Sequence, residues 1–319
     1  PTTMRDEFAK IEWLKTRFEL DGESNGPLVG IGDDAAVIDF GNRPTVVTVD
    51  TQVQDVHFRI DSLSCRELGY RAMVAAVSDV WAMAAMPTAS VIALTLPADL
   101  SDPDFRDLID GLAEAARTTG ARVIGGNLSQ GRSLSVTTTV FGWPVSESLT
   151  RRGAQAGDSI YITGTLGSAS LGFAILEAGR LDLEGAEQFV QRWKRPPLNG
   201  QAPKLLARFA TAAVDVSDGC LQDLEHLARA SDVGAILYAD AIPTAPGFKE
   251  ICQTLSIDPT TLALSGGEDY ELLFTAAESA DAASLGTRIG EIIEGSGTRV
   301  LDAAGRELDI AQSGFRHFS

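Results

Sequence analysis

The chain has 319 residues, of which 44% are apolar, and this length allows two ordinary domains, each with its own core. Its 26 lysine and arginine residues face 44 aspartate and glutamate residues, so the formal net charge of −18 excludes the basic surface on which nucleic-acid binding depends. No uninterrupted apolar run approaches the roughly 18 residues of a membrane span, so we expect neither a nucleic-acid nor a membrane partner.

Strand-like and helix-like runs alternate along the chain, which predicts a mixed α/β fold. In the first half, the predicted elements are, in order, a helix in the first twenty residues, strands over 45–49 and 90–96, with an alanine-rich helix over 66–85 between them, a helix between Ser101 and Gly120, a short strand over 122–124 and a long strand over 133–143.

A polar, turn-like stretch over 144–150 separates the two halves, so we place the domains at 1–147 and 148–319. The second half continues the alternation, with predicted strands over 159–163, 212–216 and 271–275. The glycine-rich loop over 164–168 precedes a predicted helix, and it is one candidate for backbone N–H groups that bind a phosphate.

Acidic residues are concentrated at junctions beside strands and glycines. They are Asp33 and Asp34 after Gly32, Asp50 at a predicted strand end, Asp79 in an apolar helix, and Asp215 and Asp218 around a strand-to-helix turn. A single aspartate beside glycine usually only shapes a turn. A carboxylate buried in an apolar helix, however, needs a partner. Together these junctions predict carboxylates that converge on a hard cation such as Mg²⁺, which commonly bridges to phosphates.

Other motifs for phosphate or metal binding are absent from the sequence. It contains no Gly-x-x-x-x-Gly-Lys-Ser/Thr segment and no protein-kinase motif, and none of its five lysines lies at an acidic junction. Bound phosphates would therefore depend on metal ions, arginine and helix N-termini. The three histidines are far apart and form no zinc pattern, and we expect His226 to lie on a helix surface.

The cysteines and the first residues indicate the compartment. Cys65, Cys220 and Cys252 are odd in number and widely spaced, which fits neither a disulfide framework nor a CxxC metal site. The first twenty residues are charged, with apolar residues at helical spacing, so we expect no secretory signal. We predict a cytoplasmic protein with reduced, buried thiols.

Several motifs stand in order along nearly the whole chain. They are GIGDDAAV (30–37), Asp50-Thr51 with His57-Phe58, Ser78-Asp79 with Ala82-Met83, Arg151 with Gly153-Ala154 and Gly157-Asp158, YITG (161–164), DVSDG (215–219) and LSGGEDYEL (264–272). In this order they resemble the thiamine-monophosphate kinase family. The resemblance implies a two-domain α/β (α+β) fold like that of aminoimidazole ribonucleotide synthetase. In that fold, the strands of the N-terminal domain pair across a homodimer and the C-terminal α/β domain completes an ATP cleft.

The resemblance also implies an activity. A thiamine-phosphate kinase transfers a phosphoryl group from ATP directly, by in-line displacement, to thiamine phosphate, and several Mg²⁺ ions assist. The second pKa of a phosphate monoester is about 6, so the acceptor is largely ionised at neutral pH. No general base is therefore required, and positioning with charge neutralisation supplies most of the catalysis.

Site residues follow from the resemblance position by position. The implied catalytic residues are Asp33, Asp50, Asp79, Asp215 and Asp218. The implied metal ligands are these five together with Thr48 and Asn127. The implied ATP contacts are Gly126, Asn127, Arg151 and Ser217, and the implied substrate contacts are His57, Glu268 and Phe315.

Two positions that carry metal ligands in the family depart from its pattern. Its Gly-Gly-Asp is here Gly-Gly-Asn, and Asn127 lacks the charge that Mg²⁺ prefers in a ligand. A threonine is replaced by Val49, whose side chain cannot coordinate a metal. Three hypotheses therefore stay open: a thiamine-phosphate kinase with an altered metal shell, a paralogue that uses ATP and Mg²⁺ on another acceptor, and a non-catalytic nucleotide-binding dimer.

Overall fold

Each half of the chain forms one β-sheet. The computed structural model describes residues 29, 33–39 and 44–310. The strands of the first sheet are β1 (Ala36–Asp39), β2 (Pro44–Val53), β3 (Ala85–Pro97), β4 (Arg122–Gly131) and β5 (Ser135–Pro144). They stand in the order β1-β2-β5-β3-β4, and β3 and β4 are the parallel pair.

The second sheet has six strands in the described part of the chain. They are β6 (Ser159–Ile162), β7 (Ala212–Asp215), β8 (Gly234–Tyr238), β9 (Leu272–Ala276), β10 (Thr287–Ile293) and β11 (Gly297–Leu301). Their order is β11-β8-β10-β6-β9-β7, and β8 and β11 are the parallel pair.

Helices cover and connect the two sheets. They are α1 (Cys65–Ala82), α2 (Asp102–Thr119), α3 (Ser168–Glu177), α4 (Ala186–Lys194), α5 (Ala202–Phe209), α6 (Cys220–Ser231), α7 (Phe248–Thr254), α8 (Pro259–Ser265) and α9 (Ala280–Leu285). None of these described helices combines the length and apolar character that crossing a membrane requires. The predicted mixed α/β fold is confirmed.

Helix α1 is the central element of the molecule because it contacts both sheets. It begins with a capping box, in which the Ser64 hydroxyl accepts the Glu67 N–H and the Glu67 carboxylate accepts the Ser64 N–H. Its residues are apolar on nearly all sides, and it packs against β2, β5 and α2 as well as β7 of the second sheet. Polar side chains on α1 are therefore carried into the interior.

Two glycines allow α1 and α2 to pack closely. A Cβ atom at Gly69 would overlap the Leu108 carbonyl oxygen, and one at Gly111 would overlap the Arg66 carbonyl oxygen. Helix α2 itself has the predicted ends, with Ser101 as its N-cap and Gly120 as a left-handed C-cap at a φ of 85°.

Three predicted strand ends were wrong, and one of them is the start of β3, which begins at Ala85 rather than at residue 90. Strand β2 continues past Asp50 to Val53, so Asp50 lies inside the strand, opposite Thr138 of β5. Strand β4 is much longer than the predicted 122–124, because parallel pairing with β3 extends through Gly126 and Asn127. The opening helix and Gly32 lie outside the described residues.

The close packing of α1 and α2 generates a prediction about stability. Gly69→Ala and Gly111→Ala should each lower the free energy of unfolding by about 1–3 kcal/mol or more, because the new methyl group forces the helices apart. Urea denaturation measures this loss. Gly200→Ala is the control, since its Cβ would meet only Trp81, at 3.9 Å. Equal stability of all three variants would contradict the packing described.

Candidate active site

Three carboxylates from distant parts of the chain meet beside α1. Asp34 precedes β1, Asp79 lies in the last turn of α1, and Asp215 is the last residue of β7. One oxygen from each of the three lies within 4.8 Å of the others. The contact between α1 and β7 brings Asp79 to Asp215, and together with Asp34 these residues form what we call the acidic cluster.

Burial changes the protonation of the acidic cluster. Removal from water raises the pKa of Asp34 to about 6, against the opposing charge of Arg151. Burial and the nearby Asp34 raise the pKa of Asp215 to about 8. The pKa of Asp79 is well above its usual range, because it is buried and faces both Asp215 and Asp34. Without a cation, the cluster therefore retains protons at neutral pH.

The acidic cluster fits a divalent cation. The Oδ2 atoms of Asp34 and Asp215 are buried without a hydrogen-bond partner among the described residues. The Thr48 hydroxyl donates to Asp79 at 2.6 Å, which adds a further oxygen beside the three carboxylates. A donor set made only of oxygens suits Mg²⁺. Such a cation would offset the cost of burying these charges together.

Arg151 brings a positive charge to the acidic cluster. Its guanidinium forms an ion pair with Asp34, with Nε 3.1 Å from Oδ1. Its backbone N–H donates to both carboxylate oxygens of Asp33, at 3.3 and 3.1 Å. The structure thus places Asp33, implied as a ligand, at the edge of the cluster, where burial raises its pKa.

Asp50 and Asp218 line the same cavity as Asp79 and Asp215, which has a volume of about 540 Å³. Asp50 accepts the Thr51 N–H at 2.6 Å, and burial raises its pKa. Asp218 accepts a bond from the Gln222 side chain at 3.3 Å. The predicted acidic residues of β2, α1 and the loop after β7 are therefore brought together at one cavity.

The loop after β7 is held by a residue that the sequence did not reveal. One oxygen of the buried Asp223 accepts the backbone N–H groups of Ser217, Asp218 and Gly219, at 3.1, 3.2 and 3.2 Å. This arrangement fixes the backbone of the loop that carries Asp218. The signal available in the sequence was an aspartate among the leucines of a predicted helix.

Aromatic side chains also line the cavity. Phe173 and Trp193 line it as a tilted pair with ring centroids 5.3 Å apart. Glu268 lies beside them, and its Oε2 accepts the indole N–H of Trp193 at 2.8 Å. His57 also lines the cavity, where its Nδ1 accepts the Val53 N–H at 3.1 Å. The cavity thus combines carboxylates with aromatic rings that suit an organic group.

Two of the implied ATP contacts lie elsewhere. Gly126 and Asn127 line a separate groove of about 340 Å³ with apolar residues of α2, β3 and β4. In the first sheet, β5 and β3 stand between β2 and β4, so this groove is apart from the acidic cluster. Ser217 and Arg151 lie near the cluster. Phe315 falls outside the described residues.

Two further expectations were wrong. The N–H groups of Gly167 and Ala169, at the start of α3, donate to the buried Asp269 carboxylate at 2.6 and 3.0 Å. The loop over 164–168 is therefore occupied by a protein anion rather than open to phosphate. His226 is half-buried rather than an ordinary surface residue, and burial lowers its pKa to about 4.

The raised pKa values predict how stability depends on pH. The folded state binds more protons than the unfolded state between pH 4 and 8, so metal-free protein should lose stability as pH rises, by about 1.4 kcal/mol per pH unit for each extra proton. Mg²⁺ should restore stability most at pH 8, where the cluster is most charged. Thermal unfolding with EDTA or with Mg²⁺ measures both effects.

Asp215→Asn should flatten this pH dependence, because it removes the carboxyl whose pKa is about 8. Asp102→Asn, at the exposed start of α2, is the matched control and should leave the slope unchanged. If the melting temperature of the wild-type protein changed with neither pH nor Mg²⁺, the cluster would neither hold protons nor bind the metal.

Comparison with known proteins gives the family. Residues 32–143 match the N-terminal domain of AIR synthase related proteins, and residues 155–302 match their C-terminal domain. The thiamine-monophosphate kinase of Aquifex aeolicus (strain VF5) is 31% identical over 290 residues, covering 90% of this chain and 92% of that protein. The enzyme of the same name from Escherichia coli (strain K12) is 37% identical over 261 residues, covering 78% and 77%.

The fold agrees with this relationship. A solved structure described as AaThiL complexed with AMPPCP and TMP superposes with a TM-score of 0.87 at 30% identity, covering 98% of this chain and 97% of that one. The resemblance of the sequence motifs and the expected two-domain fold are thereby confirmed. The chain belongs to the AIR synthase related proteins and, among them, to the thiamine-monophosphate kinase family.

Proposed function

We propose that this protein is a thiamine-phosphate kinase, which uses ATP and Mg²⁺ to convert thiamine phosphate to thiamine diphosphate. The observation that carries the proposal is one cavity lined both by carboxylates of the acidic cluster and by aromatic side chains. Its relatives are named for this activity, and the solved structure of one relative is described as a complex with AMPPCP and TMP. The free, buried cysteines are in keeping with the predicted cytoplasmic location.

Metal binding is assigned to the acidic side of the cavity. Asp34, Asp79 and Asp215 would hold the first cation, and further oxygens come from Asp33, Thr48, Asp50 and Asp218. When bound, Mg²⁺ supplies neutralisation of the donor and acceptor phosphates. Asp223 supports the site indirectly, because it fixes the loop that carries Asp218.

The protein itself contributes positioning. The acceptor phosphate is already ionised at neutral pH, so the reaction needs no side chain as general base. The thiazolium ring of thiamine phosphate is a cation, which suits the carboxylate of Glu268 and the exposed ring of Phe173. Binding the ring on this side directs the phosphate toward the acidic cluster.

Nucleotide binding is assigned to the groove beside Gly126 and Asn127. Its apolar walls, which include Ile109, Leu112 and Leu128, suit a purine base. Within one chain this groove is apart from the acidic cluster, so we place the nucleotide between two copies of the protein. Arg151 and Ser217, at the cluster, are the candidates for contact with its phosphates.

The proposal includes a homodimer, which the exposed edge of the first sheet supports. Strand β4 is exposed along nearly its whole length, and Ile124 and Leu128 are 68% and 64% exposed. Unpaired edge strands with apolar side chains are usually covered by a partner. A second copy paired along this sheet would cover β4 and bring the two parts of the nucleotide site together.

We predict that ADP release requires both Mg²⁺ and thiamine phosphate. Asp79→Asn and Asp215→Asn should each lower turnover by about 100-fold or more, because each removes a charged ligand at the phosphates. Asp102→Asn is the control and should retain normal turnover. A coupled assay of ADP release measures all four proteins.

The same assay separates the three hypotheses. Release of ADP with a different phosphorylated or hydroxylated acceptor, and not with thiamine phosphate, would favour the paralogue. Absence of turnover with every acceptor, together with binding of ATP, would favour the non-catalytic dimer. Equal effects of the cluster variants and Asp102→Asn would contradict the site assignment.

Asn127 gives a second prediction. Asn127→Asp should raise the apparent affinity for Mg²⁺ or the turnover, because it restores a charged oxygen ligand at the nucleotide. Titration of ADP release with Mg²⁺ measures the change. Unchanged titration curves in this variant would show that residue 127 does not face the metal.

A further inference from the structure

We infer that Arg71, a buried residue of α1, positions the acceptor-binding wall formed by Glu268 and Trp193. This inference rests on the proposed function, since it assigns the two residues to the acceptor. Arg71 itself is fully buried, whereas the Glu268 side chain is 33% exposed and lines the cavity. Arg71 therefore acts through its neighbours and is a positioning residue.

The contacts of Arg71 span the two halves of the molecule. Its guanidinium donates to the Glu268 carboxylate and to the Trp193 carbonyl oxygen, both from the second half of the chain. It also lies 5.0 Å from the centroid of the Trp193 ring. Toward the first sheet, its Nε donates to the Gln52 side chain at 3.4 Å. One side chain from the first half thus orders two residues of the second.

Both carboxylate oxygens of Glu268 and its backbone N–H form hydrogen bonds. Arg71 binds Oε1, the Trp193 indole N–H binds Oε2, and the Glu268 backbone N–H donates to the Ser217 carbonyl oxygen at 2.7 Å. The residue also has a φ of 69°, a conformation that non-glycine residues adopt only when their surroundings impose it. The carboxylate therefore meets a ligand in one fixed orientation.

The contacts at position 71 depend on the planar guanidinium of arginine. A guanidinium presents several N–H groups in a rigid plane and stacks on an aromatic ring, so it can hold a carboxylate, a carbonyl and a ring at once. Lysine supplies the charge without the plane. Methionine fills a similar volume with neither, and it leaves Glu268 without its charged partner.

The test is a comparison of kinetic constants in Arg71→Lys, Arg71→Met and Glu268→Gln. The Arg71→Met and Glu268→Gln variants should raise the KM for thiamine phosphate by about tenfold or more, because each disrupts a hydrogen bond to a charged group. The KM for ATP should stay within about twofold, since the groove for the base is elsewhere. Arg71→Lys should give a smaller rise.

A double variant separates positioning from general damage. Because Arg71 acts through Glu268, the double variant Arg71→Met/Glu268→Gln should raise the KM for thiamine phosphate little more than either single change. Arg66→Met is the control, since Arg66 lies on the same helix but is exposed and pairs with Glu114. It should leave both KM values unchanged.

The outcomes distinguish this inference from the proposed function. The role of Arg71 would be overturned if the KM increases of the two single variants multiplied in the double variant. It would also be overturned if the KM for ATP rose as much as the KM for thiamine phosphate. Neither result would affect the proposed kinase activity. A wild-type protein that releases ADP only with another acceptor would overturn the assignment to thiamine phosphate. The role of Arg71 would then be tested by the same comparison of KM values, measured with that acceptor. Circular dichroism and thermal unfolding confirm that each variant is folded.

Discussion

The mutual repulsion of buried carboxylates is the constraint on which the rest of this structure depends. Asp34, Asp79 and Asp215 are brought within 4.8 Å of one another inside the protein, where water cannot screen their charges. Three features offset this repulsion: the ion pair of Arg151 with Asp34, the hydroxyl of Thr48 beside Asp79, and protons retained at raised pKa. A bound cation would replace the protons, so the proposed metal is what would allow the cluster to become fully charged.

Helix α1 connects this cluster to the part of the cavity lined by Glu268 and Trp193. Asp79 and Arg71 are eight residues apart on the helix, a rise of about 12 Å. In the proposed mechanism, Asp79 would hold the metal at the phosphates and Arg71 would order Glu268 and Trp193 at the acceptor. Because α1 packs against both sheets through an apolar surface, the distance between the two sides is set by a rigid element. In-line transfer between two bound phosphates requires this kind of fixed spacing.

The sequence predicted those site residues that are unusual in their local context. An aspartate in an apolar helix identified Asp79, and the turn after a buried strand identified Asp215 and Asp218. The sequence around each residue could not predict which distant segments come into contact. Local pattern could not distinguish Asp34 from its neighbour Asp33, and only the fold places it in the cluster. Likewise, no short motif shows that Asp269 binds the start of α3, or that two strands separate β2 from the strand that carries Gly126.

The most direct test of this account is a crystal structure of the protein with Mn²⁺, a non-hydrolysable ATP analogue and thiamine phosphate. The account predicts an anomalous Mn²⁺ peak bound by Asp34, Asp79 and Asp215, with the nucleotide phosphates on its open side and the thiazolium ring beside Glu268. Anomalous peaks only on the protein surface, with these three carboxylates still unliganded, would contradict it.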